Sequence, residues 1–331
     1  EFVQNELNRR RPSQSSLTSE RFEEDRIKVL SGIFENRTTG APLCLIIENK
    51  DIDSSLYKKY KKILRPSHVD YTALKKYAGF SDYRGSGRFS GRITAGFVMA
   101  GAIAKQILKR YNILIFAYTK SIGNIIDTTD YSYDNISTLL ELREKSLVRA
   151  IDYEISKSME EFITNIKKDK DSIGGMVKCI VINFPAGKGG PIFNGLESII
   201  SKAIFAIPGV KGIEFGAGFK AAKMKGSEHN DPWILKNGKI RTSKNDSGGI
   251  IGGLSTGMPI EFTIAIKPPA SISIPQSTVN IETMQNVRFE FKGRHDPCIV
   301  PRVIPVVEAT VANVLTDCLL LEGFIPRVFK A

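Results

Sequence analysis

Apolar residues recur along the chain in two periods, and the switches between them predict its elements. Ile93 to Tyr111, which reads ITAGFVMAGAIAKQILKRY, predicts a helix. Large residues (Phe97, Met99, Ile103, Leu108) alternate there with small ones (Ala95, Gly96, Ala100, Gly101, Ala102, Ala104). Such a face lets another backbone come close, against a propensity cost of ~1 kcal/mol per interior glycine. Val306 to Leu321 predicts a second apolar helix with Glu308 and Asp317 as its few acids, and Leu196 to Ile207 a third. The chain opens on the end of a helix (Phe2, Leu7) that runs into Arg9-Arg10-Arg11-Pro12. Glu141 to Lys168 carries charges at helical spacing around Leu147, Ile151, Ile155, Phe162 and Ile166. That pattern predicts a surface helical pair with no chemistry of its own.

Strand-like runs fall at Ile27 to Ile33, Ala41 to Glu48, Ile113 to Tyr118 and Val177 to Phe184. Others follow at Val210 to Phe215, Pro259 to Lys267 and Val287 to Lys292. Leu43, Leu45 and Ile47 alternate with Cys44, Ile46 and Glu48, so both faces begin apolar and a strand largely buried in a sheet is expected. Strands and helices do not alternate regularly, and most strand pairs lie near each other in sequence. The expected class is α+β, with antiparallel sheets. No repeat or long linker divides the chain, so residues 1–331 are read as one domain, with residues 121–170 as a variable, mostly helical surface segment.

Composition narrows the function. The 331 residues are 42% hydrophobic, enough for a substantial core. A net charge of +12 favours anionic partners: nucleic acid, acidic lipid or small phosphorylated acids. The four cysteines are dispersed, as are the three histidines, so zinc-type spacing is absent and no metal is expected. The cysteines are read as core filling in a reducing compartment. No apolar run approaches the ~20 residues of a membrane span. Cytoplasm is the default, with no membrane and no nucleic acid as partner; sparse aromatics among the basic runs argue against RNA.

Arg65 to Arg92, RPSHVDYTALKKYAGFSDYRGSGRFSGR, is the stretch that carries chemistry. Arginine forks grip phosphate or carboxylate bidentately, and glycines let the backbone approach the same anion. Arg84, Arg88 and Arg92 lie among such glycines, with Gly91 and Arg92 at the start of a helix where an anion is favoured. His68, between Arg65 and Asp70, is the better-placed imidazole for proton transfer. Arg294-His295-Asp296 gathers a cation, an imidazole and a carboxylate; the bland reading is a local salt link with Asp296 capping the turn. The triple arginine reads as a solvated charge cluster, and His229 as a loop residue. Gly248 to Gly257, the densest glycine run, predicts a turn packed closely against something flat or anionic.

Taken together, these pieces resemble the chorismate synthase family. The blocks are RRRPSQS (9–15), RPSHVDYT (65–72), DYRGSGRFSGR (82–92), AGAIAK (100–105) and DSIGG (171–175). PAGKGGPIF (185–193), VKGIEFGAGF (210–219), KGSEHND (225–231), GGIIGGLSTGMPI (248–260) and GRHDPCIVPR (293–302) follow in family order. The resemblance implies a β-α-β sandwich, a homotetramer, and conversion of 5-enolpyruvylshikimate 3-phosphate to chorismate and phosphate by 1,4-anti elimination, dependent on reduced FMN. It implies that Arg65, Arg88, Arg92, Arg294 and one or both of Arg10 and Arg11 bind the substrate's anionic groups. His68 matches a proton donor to the flavin or the leaving phosphate, and Asp296 the acid that manages the proton at flavin N5. Lys267 and Ser271 sit where the family holds the FMN phosphate, and Gly91, Gly252 and Gly253 would lie against the cofactor. Whether NADPH reduces the flavin on the protein is left open by these residues.

Three departures accompany the resemblance. The family's Gly-Glu-Ser-His-Gly segment has no match, the sequence starting downstream of it. The usual R-S-S-A-R-E core appears as Arg88-Phe89-Ser90-Gly91-Arg92-Ile93, and the usual N-x-A-G-G as Asn245-Asp246-Ser247-Gly248-Gly249. Two rival readings follow: a catalytically impaired flavin-binding form of the same scaffold, and a basic polyanion- or RNA-binding protein.

Overall fold

Alternating apolar residues along three long strands build the central sheet. The computed structural model describes residues 1–19, 23–50, 57–58, 60–291, 293 and 295–329. Its five-stranded sheet runs in the order Ile125–Ile126, Leu114–Ile122, Gly175–Ile182, Ile260–Ile266, Val210–Phe215, with every pairing antiparallel. Ile260, Phe262 and Ile264 sit directly opposite Val181, Cys179 and Val177. Residues opposite one another share a face, so these six form one buried apolar layer. Phe116, Tyr118 and Ile180 point the other way and pack with Leu139 and Ile151 in a smaller core.

The helices Phe2–Arg10, Thr94–Lys109, Leu196–Ile204 and Val300–Leu321 contribute to the larger core. Val300–Leu321 begins six residues before the predicted start, with Pro301 in its first turn, where proline's missing N–H costs nothing. It is long and apolar enough to cross a membrane, with mean hydropathy 1.6 over its best window, but 78% of that window is buried inside the protein. The small-residue face of Thr94–Lys109 meets it: a Cβ at Gly101 would lie 2.3 Å from the Cβ of Ala309. Close backbone approach is what the sequence predicted there.

Inside this stack lies a buried carboxylate, Glu308, 1% exposed. It pairs with Arg9 at 2.8 Å, Lys105 at 2.7 Å and Arg143 at 2.5 Å, and accepts the Ala117 N–H at 3.1 Å. Burial works to raise the Glu308 carboxyl, but the three cations outweigh it and hold the group well below the usual range. The cluster corrects two expectations. Arg9 and Arg10 are not a solvated pair, their side chains being 17% and 6% exposed. The 121–170 segment is helical over Ile136–Lys145 and Tyr153–Lys168, yet it includes buried Ser121 and Ile122 and supplies the buried Arg143 and Arg149.

Two further expectations change. The strand in Ala41 to Glu48 is Cys44–Ile47, and among the described residues it pairs only with Ile27–Ser31, in a two-stranded, mostly exposed ribbon. Its apolar residues have no sheet to enter. Cys44 is accordingly exposed, whereas Cys179, Cys298 and Cys318 are buried as expected.

Candidate active site

Three helix ends converge beside the Ile266 end of the central sheet. Arg10 ends the first helix, Arg92 lies in the short turn Gly91–Ile93 that leads into Thr94–Lys109, and Arg302 sits in the first turn of Val300–Leu321. All three line a cavity of about 310 Å³, together with Ser19, Gly91, Thr94, Ser271, His295 and Asp296. Two of the helices present their N-termini, whose unpaired N–H groups and dipoles add positive potential to the guanidinium groups.

The guanidinium groups are held by acids below the cavity. Asp25, 1% exposed, takes Arg92 Nη1 at 2.5 Å and Arg10 Nη1 at 3.3 Å. Glu23 lies 3.7 Å from Arg92. Arg10 also donates to Thr94 Oγ1 at 3.1 Å and to the Gly91 carbonyl at 2.8 Å. Burial, then the charge of Arg302, lowers Arg10 to about 10, with Arg92 adding to the effect and Asp25 opposing it. A cation destabilised in this way by its neighbours is relieved by an arriving anion.

Asp296 accepts the Ser19 N–H at 2.7 Å and is paired with Arg302, whose Nε donates to the Arg10 carbonyl at 3.2 Å. Asp296 thus bonds across the molecule to Ser19 as well as to the arginine of the following helix. Arg294 lies outside the described residues.

His68 stands behind Ser271. Its Nδ1 is 3.0 Å from the Pro66 carbonyl oxygen and its Nε2 is 2.9 Å from Ser271 Oγ. A carbonyl can only accept, so Nδ1 carries a proton. Burial, then the Arg65 charge, lowers the His68 pKa. Asp70, which sequence placed beside His68, goes to Arg65 instead, at 2.7 Å from Nη2 and 2.9 Å from Nε. Burial raises the Asp70 carboxyl, but the Arg65 hydrogen bonds and charge hold it below its ordinary value. His295 leans on Phe291, ring centroids 4.8 Å apart, and its buried Nε2 has no hydrogen-bond partner among the described residues. Burial, then His68, pushes its pKa down to about 4.

The other predicted residues are placed apart from this cavity. Arg65 and Arg88 line a neighbouring one of about 530 Å³, where Arg65 is held by Asp70 and Ser86 and exposed Arg88 lies over the Tyr77 ring. Arg84 is exposed and paired with Asp82. Arg11 lines a third cavity of about 410 Å³, which Arg302 also borders. Lys267 donates to the Ser67 carbonyl at 3.2 Å, its pKa lowered by burial and then by Lys211. Gly252 and Gly253, both at positive φ, turn the hairpin Ile250–Ser255. That hairpin packs on the 189–195 loop, near the Ile260 end of a seven-residue strand whose other end leads to Lys267. Within one chain they are therefore roughly 20 Å from the His68 end.

Sequence reasoning passed over Arg302 and Asp25. Arg302 closes the block GRHDPCIVPR, and Asp25 lies fifteen residues after Arg10 in an acidic run. Charge complementarity between those runs was the available signal.

Residues 1–320 match the chorismate synthase family. A chorismate synthase of Dehalococcoides mccartyi is 49% identical over 331 residues, covering 99% of this chain and 89% of the relative. Those of Korarchaeum cryptofilum and Methanocaldococcus jannaschii are each 48% identical, covering 96% and 98% of this chain and 87% and 88% of the relatives. A crystal structure of chorismate synthase superposes with a TM-score of 0.74 at 28% identity, over 97% of this chain and 83% of that one. With a family match over nearly its whole length, the chain belongs to the chorismate synthase family.

Proposed function

We propose that the protein catalyses the 1,4-anti elimination of phosphate from 5-enolpyruvylshikimate 3-phosphate to give chorismate, with reduced FMN as cofactor. The observation that carries this reading is the meeting of Arg10, Arg92 and Arg302 in one cavity with Ser271, His295 and Asp296. The substrate has one phosphate and two carboxylates. A pocket of preorganised cations holds such a molecule and stabilises charge as it moves onto the departing phosphate.

The residues present fit the cofactor. Ser271 offers a hydroxyl and His295 an imidazole in the cavity wall, and Lys267, outside the lining, offers a cation four residues before Ser271. Reduced FMN supplies electron density to an electron-poor allylic centre. The protein's own part is to clamp the anions through Arg10 and Arg92, to fix Asp296 against Arg302, and to hold an exchangeable proton at His68. Arg65 and Arg88, in the neighbouring cavity, would extend the anion-binding surface.

Anaerobic incubation with reduced FMN and the enolpyruvyl substrate tests the reading. Phosphate release matched by chorismate absorbance is expected; flavin-dependent substrate binding without turnover would select the impaired scaffold. Homotetramer formation is part of the proposal. It is supported by the exposed ribbon residue Leu30, by Phe34 in the short pair Ile33–Phe34 with Arg37–Thr38, and by Trp233, Leu235 and Ile240 on the hairpin Trp233–Thr242. A lone two-stranded hairpin is marginal in water, so cover by a second subunit would stabilise it. A cytoplasmic setting, with no membrane or nucleic-acid partner, is consistent with the four unpaired cysteines.

A further inference from the structure

A buried arginine from the segment that sequence read as surface and free of chemistry reaches across to the frame of the cavity. Arg149 donates to the Pro301 carbonyl through Nη1 and to the Arg9 carbonyl at 2.7 Å through Nη2. Each of those carbonyls belongs to the residue just before a cavity arginine, Arg302 in one case and Arg10 in the other. We infer that Arg149 is a positioning residue, the bolt that sets the separation of Arg10 and Arg302 in the cavity wall. The inference rests on the function proposed above, which gives Arg10 to the substrate's anions and Arg302 to Asp296.

Both carbonyls are open for a reason that lies in the sequence. In an α-helix the carbonyl of residue i accepts the N–H of residue i+4. In Val300–Leu321 the partner of the Pro301 carbonyl would be Pro305, which has no N–H to give. The Arg9 carbonyl lies in the last turn of Phe2–Arg10, where no helical donor remains. Arg149 supplies both, because its planar fork presents two donors at a fixed separation. A cation at the end of the first helix also suits the dipole there. Gln14 closes the contact: its Nε2 donates to the same Arg9 carbonyl at 2.7 Å, and its Oε1 accepts Arg149 Nη2 at 3.0 Å. Arg302 Nε adds a second tie, to the Arg10 carbonyl at 3.2 Å. The end of the first helix is thereby fastened to the start of the last at two successive carbonyls.

The backbone at Arg149 is itself held. It sits at φ +57, in the left-handed region that a non-glycine residue enters at a cost. The Ser146 carbonyl accepts its N–H at 3.1 Å, and its own carbonyl accepts the Thr119 N–H at 3.0 Å. Its one ion-pair partner among the described residues, Glu144, is 3.8 Å from Nε, so the two carbonyls are its main contacts. Burial, then the charge of Arg9, lowers its pKa to about 10, with Glu144 opposing. The guanidinium is therefore still charged at neutral pH, and its bonds to the carbonyls are charge-assisted. Such bonds resist the small displacements that matter in a site, where ~1 Å can cost about a hundredfold in rate.

Full-length Arg149→Gly, Arg149→Lys and Met159→Ala test the inference, assayed with reduced FMN and the enolpyruvyl substrate well below the Tm of each variant. Glycine accepts the left-handed backbone, so Arg149→Gly removes the side chain without adding strain. Met159 is fully buried in the helix that follows Arg149 and has no part in the two carbonyl contacts, so Met159→Ala loosens the same segment as a structural control. Arg149→Gly is expected to lower kcat/KM by about tenfold to a hundredfold. Guanidinium ion at low millimolar concentration should restore part of that loss, because Arg149 borders the cavity of about 410 Å³ and its place can be refilled from solvent. Arg149→Lys keeps the charge but not the fork, and should fall between Arg149→Gly and the unmodified protein. Met159→Ala should lower Tm and leave kcat/KM unchanged, with no response to guanidinium. An unchanged kcat/KM in Arg149→Gly or Arg149→Lys, or a loss in Met159→Ala as large as in Arg149→Gly, would overturn the positioning role. Crystal structures of the unmodified and Arg149→Gly proteins provide an arm independent of turnover. The Arg10 carbonyl and Arg302 Nε, 3.2 Å apart, should separate in the variant, and an unchanged spacing would overturn the inference. Should Arg149→Gly fail to fold, Arg149→Lys carries both measurements. Absence of turnover in the unmodified protein would sink the proposed function instead, and the spacing would still decide the role of Arg149.

Discussion

Asp25 sets the terms on which the cavity meets a ligand. Asp25 is shared by Arg10 and Arg92, and Glu23 lies 3.7 Å from Arg92, so buried acids fix both guanidinium groups while each, with five N–H donors, keeps donors for an incoming anion. Removing Arg92 leaves Asp25 with Arg10 and strips one cation from the site. Arg92→Ala is expected to slow turnover at least tenfold, about 1.4 kcal/mol of transition-state stabilisation. A steady-state assay under anaerobic conditions reads this directly, and near-normal turnover would count against the cavity as the substrate site. His295 gives a second residue-scale prediction. Its folded pKa of about 4 lies below the ~6.5 of an unfolded histidine, so the unfolded chain takes the proton first as pH falls. Stability is therefore full above that upper value and is lost between it and about 4, with lowered His68 acting in the same direction. Melting curves at neutral and mildly acidic pH should show a smaller loss in His295→Asn than in the unaltered protein.

At the scale of elements, packing at Gly101 is the sharpest constraint. An added Cβ would fall 2.3 Å from the Ala309 Cβ and 2.4 Å from its Cα, so the helices Thr94–Lys109 and Val300–Leu321 would have to separate. Gly101→Ala is expected to cost ~1–3 kcal/mol and to lower Tm, measurable by scanning calorimetry. These helices also carry Arg92 and Arg302 at their ends, so their spacing bears on the cavity. Elements of this kind were legible in the sequence: Val210–Phe215 lies where its apolar run predicts, and the small-residue face of Ile93 to Tyr111 announced the close crossing. Ala41 to Glu48 was not, because a doubly apolar run reads as buried whether its cover is a sheet or something outside the chain. The site divides in the same way. His68, Arg92 and Asp296 lie in the quoted blocks and Ser271 was named with Lys267 from the resemblance, but the contact between His68 and Ser271 joins residues 203 apart. So does the pairing of Arg9 with Glu308, 299 residues away. Composition made those arginines look solvated; only their tertiary partners bury them.

For the molecule as a whole, a +12 chain places three arginines in one concavity and leaves apolar ribbons at its surface. In the proposed function the first feature serves the anion and the second assembly. If the hairpin Trp233–Thr242 lies between subunits, Leu235→Arg should shift the mass in light scattering from tetramer towards smaller species while secondary structure is retained. An unchanged mass would remove that hairpin from the interface. Gly252 and Gly253, which one chain keeps away from His68, would meet the cofactor only if a second subunit brought them there.

The most direct measurement is a crystal structure of the protein with oxidised FMN and 5-enolpyruvylshikimate 3-phosphate. The account predicts the substrate's anionic groups within hydrogen-bonding distance of Arg10 and Arg92, beside Ser271 and Asp296. Electron density for both ligands elsewhere, with this cavity filled only by water, would contradict it.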